Sequence, residues 1–178
     1  MSETKIAALG SGKLYITEYT DAIPEDATFE VADNMLGAIS GGASINYKPE
    51  FYKAQDDLGT VAITVLKSEE VTLKSGVMTW NGNTLKKLCS TAKITEDAQA
   101  NTRTVKIGGN GNYDGKKYAI RFVHTSQGRT IRVTIVGQNQ SGFEIAFAQD
   151  KETVVNAEFA ALPMDSDGTL IEYKENVL

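Results

Sequence analysis

Gly108-Gly109-Asn110-Gly111-Asn112-Tyr113-Asp114-Gly115 is the first stretch whose composition could do chemistry, because glycine-rich loops let backbone N–H groups close around a phosphate. Its spacing matches neither the dinucleotide fingerprint nor the lysine-hydroxyl ending of a triphosphate loop. It also joins two strand-like runs, whereas those motifs need a helix N-terminus behind the phosphate. Asp165-Ser166-Asp167-Gly168 has the look of a calcium loop until it is counted out: Pro163 and Lys174 then fall where the first and twelfth ligands belong. A hairpin turn accounts for it better. The single histidine, His124, stands at a strand end beside Thr125 and Ser126, but no serine is set apart as its nucleophile. We expect it at the surface or on a pocket edge.

The remaining reactive side chains fare no better. Cys89 is the only cysteine, so an internal disulfide is excluded and a thiolate and imidazole metal site is not expected. It reads as a small core residue. The carboxylate pairs Glu69-Glu70 and Asp56-Asp57 lie in expected turns or loops, and adjacent residues on a strand would point to opposite faces, which prevents proton sharing. Arg121, Arg129 and Arg132 gather near the end of the chain without interleaved aromatics, and the pI is near 5.0, so they read as half of a protein contact and not as a nucleic-acid patch. No catalytic residue, metal or cofactor is expected, and no enzymatic activity.

The elements that hold these residues are mostly strands. Lys117–Thr125, Arg129–Gly137, Gly142–Ala148, Thr153–Leu162 and Thr169–Lys174 are rich in Ile, Val, Phe, Tyr and Thr and are separated by turn compositions. Ile131, Val133 and Ile135 alternate with Thr130, Arg132 and Thr134, the pattern of a sheet wet on one side. Earlier, Lys13–Tyr19, Gly41–Lys48, Thr60–Lys67, Val71–Trp80 and Thr102–Ile107 read as strands, with Val61, Ile63 and Val65 alternating with Ala62 and Thr64. One helix is expected over 83–92, capped at Asn83 or Thr84, with Leu85, Leu88, Cys89 and Ala92 as its apolar stripe. Asp21–Asp33 reads as an acidic connection, and 49–60 as a long loop that follows Pro49 and carries Phe51 and Tyr52. The expected fold is mainly β: a β-sandwich or open barrel of about nine strands with one flanking helix, in a single domain spanning 1–178.

The charge distribution is more useful than its sum of -5. Residues 1–60 hold four basic and ten acidic side chains, and the remainder holds 14 and 13. Such asymmetry suits an acidic surface that meets a mildly basic one, or a solvated acidic face. No segment is long and apolar enough to span a bilayer as a helix, and Met1–Lys5 does not open a signal sequence, so the expected location is cytoplasmic or reached without a cleaved signal. Asn139-Gln140-Ser141 fits a glycosylation acceptor but reads as a hairpin loop.

The order of these parts is familiar: Gly12-Lys13-Leu14-Tyr15-Ile16, then Gly42-Ala43-Ser44-Ile45-Asn46-Tyr47 running into an acidic, aromatic loop. A strand pair around 61–80, a mid-chain helix, a run of hairpins and Glu158-Phe159-Ala160-Ala161-Leu162-Pro163 followed by Asp167-Gly168-Thr169-Leu170-Ile171 complete it. The chain resembles the major tail (tail tube) proteins of long-tailed phages of Gram-positive hosts and related phage-tail-like particles. The resemblance implies a virion subunit, assembled in the host cytoplasm, that forms stacked hexameric rings. It implies that an N-terminal arm (1–12) and the 49–60 loop reach neighbouring copies, with Pro49, Phe51, Tyr52, Asp56, Asp57 and Leu58 as contacts. A lumen lined by strands carrying Ser44, Asn46, Thr64, Arg132, Thr134 and Glu144 would pass DNA without specific binding and enclose a tape measure protein. Tail terminator, baseplate or tip proteins, and in contractile tails a sheath, would be the other partners. A monomeric β-sandwich that binds a carbohydrate or a host surface is the alternative.

Overall fold

The computed structural model describes residues 10–150 and 152–176. Among them are ten strands and two short α-helices, so the mainly-β expectation holds. Seven strands form one antiparallel path in the order β2-β1-β7-β8-β9-β4-β3. They are β1 (Lys13–Glu18), β2 (Met35–Gly37), β3 (Ile39–Gln55), β4 (Ala62–Val77), β7 (Tyr118–Ser126), β8 (Arg129–Asn139) and β9 (Val155–Leu162). β10 (Glu172–Glu175) pairs with the first half of β8, while β9 takes its second half.

The two ends of this path, β2 and β3, are consecutive in the chain with Ala38 alone between them. One bent segment therefore pairs with β1 on one side and β4 on the other, and the sheet curls around a single core. Ala38 fixes the corner: its N–H donates to Thr79 Oγ1 at 2.7 Å and its carbonyl accepts from Met78 N at 2.7 Å. Gly37 is required there, since a Cβ would lie 2.0 Å from the Thr79 carbonyl oxygen. Inside lie Leu14 and Ile16 of β1, Leu73 of β4, Ile120 of β7, Ile135 of β8 and Phe159 of β9, all fully buried. Strand alternation selects them: the neighbours Tyr15 and Ala119 face outward and pack with Phe29 in a second, smaller cluster.

α2 (Gly82–Leu88) begins at a reciprocal cap, with Asn81 Oδ1 accepting from Asn83 N and Thr84 N and Thr84 Oγ1 accepting from Asn81 N. Thr84 Oγ1 donates onward to the Leu36 carbonyl and Lys87 Nζ donates to the Ile16 carbonyl, which seats the helix beside β1 and β2 with Leu88 in the core. The expected helix of 83–92 is thus corrected: it starts earlier and stops at Leu88. Cys89 is extended (φ -141°, ψ 110°), and Ala92 opens β5 (Ala92–Asp97), which pairs along its length with β6 (Thr102–Ile107). Ser90 and Thr91 are weak helix formers, and the cross-strand ladder outcompetes another turn.

Three further expectations change. Residues 49–55 are strand, not loop, and Thr60–Lys67 with Val71–Trp80 is one strand, β4. Gly142–Ala148 is not a strand; Phe143 and Ile145 pack on the core from an irregular segment. The N-terminal arm of 1–12 falls largely on 1–9, outside the described residues.

Candidate functional site

Only half of the β3–β4 hairpin belongs to this body. β9 pairs with β4 from Thr72 to Val77, Val71 still packs in the core, and from Glu70 outward the two strands pair only with each other among the described residues. Every residue from Glu50 to Glu70 is exposed. Yet this projecting ribbon carries Phe51 (57% exposed), Tyr52 (62%), Val65 (53%), Ile63 (58%), Leu66 and Val61. An apolar group of this size, held away from the core, marks an interaction surface. A two-stranded ribbon alone is only marginally stable in water, so its pairing gains from a partner.

Local chemistry holds the ribbon in register. At the tip, Asp56 Oδ1 accepts from Val61 N at 2.8 Å and Oδ2 from the Thr60 hydroxyl at 2.5 Å; these bonds hold its carboxyl below the usual range. Gly59, with φ +69°, completes the turn. Midway the register shifts: Glu50 opposes Ser68, but Phe51 opposes Leu66, leaving Lys67 as a bulge. Lys67 Nζ sits 2.7 Å from Glu50 Oε1, and Ser68 Oγ donates to Glu50 Oε2. The lysine bond, ahead of the serine's, lowers the Glu50 pKa. At the root the Tyr47 hydroxyl donates to Glu69 at 2.6 Å, which raises the tyrosine's pKa.

The bulge decides which side chains share a face. Val61, Ile63 and Val65 are in phase along the sequence with Val71, Leu73 and Val77, which face the core. After the shift Tyr52 opposes Val65 and Ala54 opposes Ile63, on the side opposite to the Phe51–Leu66 pair. The arm is therefore apolar on both faces. Of the residues expected to make contacts, Phe51, Tyr52, Asp56, Asp57 and Leu58 all lie on it beyond the body, and Pro49 sits at its root, on a strand whose outer edge has no second neighbour among the described residues and so tolerates proline.

Two outer faces of the body contrast with the arm. Across β3, β4 and β9, Ser44, Lys74 and Glu158 stand in one row and Asn46, Thr72 and Ala160 in the next. Lys74 pairs with Glu158 at 2.8 Å. A groove of about 610 Å³ beside this row is lined by Ser44, Asn156, Glu158 and Glu144. Ser44, Asn46 and Glu144 thus fall together on an open, polar surface, while Thr64 lies on the arm.

The outer face of β7 and β8 is instead covered by α1 (Asp26–Phe29) and flanked by β10, so the expected lumen positions Arg132 and Thr134 are corrected. Thr134 is fully buried, accepting from Arg121 Nε at 2.9 Å. Arg121, 2% exposed, reaches Asp26 at 2.7 Å and Glu30 at 3.2 Å, with its guanidinium 4.6 Å above the Phe29 ring. Arg132 binds Glu30 at 2.6 Å, which raises the guanidinium's pKa, and Lys174 binds Asp26 at 2.6 Å. The Lys174 bond leads in lowering the Asp26 pKa, ahead of Arg121 and Arg132 and against the effect of burial. Arg129 pairs with Glu175. The arginines expected to serve a partner are thus engaged by acids of their own chain. The charge imbalance between residues 1–60 and the remainder was the sequence signal for this cluster, but it did not say that the two parts meet within one molecule.

The other candidates for chemistry serve the fold. His124 is buried, a correction to its expected place at the surface or on a pocket edge; its Nδ1 lies 2.8 Å from the Ser11 carbonyl, which can only accept, so Nδ1 carries the proton. Cys89 is half-buried at the end of α2, 3.4 Å from Thr91 Oγ1. Asp165 Oδ1 accepts from Asp167 N and Thr169 N, closing a turn. Asp114 of the glycine-rich loop binds Lys86 at 2.6 Å. Glu69 and Glu70 lie within β4, so they point to opposite faces.

No family model matches the chain, and no curated protein does. Among solved structures, a chain from the virion of a native gene transfer agent particle aligns over 90% of this chain and 95% of that one, at 11% identity and a TM-score of 0.38. Likeness at that level carries no argument about the fold or the role of this chain.

Proposed function

We infer that this protein is a self-assembling structural subunit of a virion tail, building a hollow tube from stacked hexameric rings, and that it is not an enzyme. The observation that carries the reading is the arm: a folded body extends a ribbon of apolar side chains, in register and capped at its tip, that its own core does not use. Aromatic residues on such a projection have the composition of interface anchors. A contact between an arm and a different surface of the next copy is head-to-tail, so it either closes a ring or propagates, and a tube needs both.

The body fits the same role. Among the described residues, the outer edge of β3 with its arm, β5–β6 and β10 carry unpaired strand borders that could join copies. The polar face of β3, β4 and β9 suits a channel wall through which DNA passes without binding, since Glu158 pairs with Lys74 there and lowers its pull on phosphates. A tape measure protein within the lumen and terminator, baseplate and sheath proteins around the tube are the partners this reading requires.

Electron microscopy of the purified protein across a concentration series tests it. Hollow filaments of uniform width are expected. A particle that stays monomeric at high concentration and binds a glycan would replace this reading with that of a binding module.

A further inference from the structure

The two faces of the arm are both apolar and carry different side chains. One face presents the cross-strand pair Phe51–Leu66, with Tyr47 at its root; the other presents Tyr52–Val65 and Ala54–Ile63. A ribbon that lay in one groove would need only one such face, and the other would be polar. At ~3.3 Å per residue the stretch from Pro49 to the tip is roughly 25 Å long, and two strands about 4.8 Å apart make it roughly 10 Å wide. One face therefore offers on the order of 250 Å², well short of the ~800 Å² that each partner contributes to a stable interface. Both faces and both unpaired edges must be used before the arm can anchor a lasting contact.

We propose that each arm is held between two other copies of this chain, one against the Phe51–Leu66 face and one against the Tyr52–Val65 face, so that a single hairpin makes two distinct contacts. The bulge at Lys67 is the device that makes this possible, because it moves the Val61, Ile63 and Val65 series out of phase with the core-facing residues of β4. One contact joins copies within a layer and the other joins layers. This rests on the self-assembly reading above.

Two face-selective variants test it: Phe51→Ser with Leu66→Ser, and Tyr52→Ser with Val65→Ser, compared with the wild type by sedimentation and electron microscopy. All four residues are exposed, and circular dichroism with thermal unfolding confirms that the body of each variant is intact. Each variant is expected to raise the concentration needed for tube formation at least tenfold, and the two are expected to stop at different stages, one as closed rings that do not stack and the other as species smaller than a ring. Wild-type tubes together with one variant that assembles normally, or with both variants arrested at the same stage, would overturn the two-sided arm alone. A wild type that never polymerises would overturn the self-assembly reading as well.

Discussion

The inner and outer halves of the β3–β4 hairpin are built from similar residues and meet opposite fates. Near the body, Val71 and Leu73 are at most 1% exposed; further out on the same strand, Ile63 and Val65 are more than half exposed. Composition and alternation hardly differ between them. What differs is the neighbour: β9 and the curled sheet cover the inner half, and none of the other described residues covers the outer one. Alternation tells which side chains gain from burial, while the identity of the covering surface is a separate fact, here supplied by another molecule if the arm does what we infer.

That contrast can be broken from either end. Phe159→Ala, which empties the centre of the body, should cost about 3–5 kcal/mol of folding stability by denaturant titration. An effect below about 1 kcal/mol would mean that the core is not where the tight packing lies. Arg121→Ala should cost about 3 kcal/mol, because it empties a buried site above Phe29, takes the donor from Thr134 and leaves Asp26 and Glu30 to Lys174 and Arg132 alone. A well-packed Met at the same site should recover much of that loss, as buried ion pairs give little net gain over apolar contacts.

Acid sharpens the comparison further. The Asp26 carboxyl is depressed in the folded state, so its contribution is fully present above the ordinary value of 3.8 and fades as pH falls through the lower folded value. Below about pH 4 the packing of α1 on β7 should loosen before the core melts, seen as earlier hydrogen exchange at Phe29 than at Leu73. In alkali the opposite sign applies to Tyr118, which burial pushes up to about 12: stability present below its ordinary value of 10.0 should fall as pH rises through 12. The smallest effect on folding belongs to the arm. Phe51→Ala with Tyr52→Ala should change unfolding free energy by no more than about 0.5 kcal/mol, as expected for exposed sites, while tube yield collapses. Unchanged tube length and yield would remove the arm from assembly.

Much of the fold was legible from residues alone. β1, β6, β7 and β8 appear close to where alternation and turn residues put them, since short antiparallel strands with one wet face leave a clear period of two. Less legible were elements whose state depends on a distant partner. Cys89 to Ala92 continue the helical stripe on paper, but Ala92 pairs with Ile107 to open β5, and 89–91 turn the chain into it. Phe143 and Ile145 alternate like a strand yet pack on the core from a segment that joins no ladder. For the candidate site, Phe51 and Tyr52 stood out as aromatics amid polar residues, whereas the strand character of their segment and the bulge at Lys67 left no local mark.

By itself the sequence determined a β-rich body, an amphipathic strand set, a short capped helix and an acidic first third, because these follow from the period of apolar residues, from turn chemistry and from charge counts. The tertiary structure alone decided that β2 and β3, one bent segment, form the two ends of a curled sheet, that Asp26 and Glu30 neutralise Arg121 and Arg132 inside the same molecule, and that the apolar series on β4 leaves the core-facing side at Lys67 so that a projecting arm is apolar on both faces. Each of these depends on residues far apart in the chain arriving at one place, and local periodicity holds no record of which distant strand or side chain will be there to meet them.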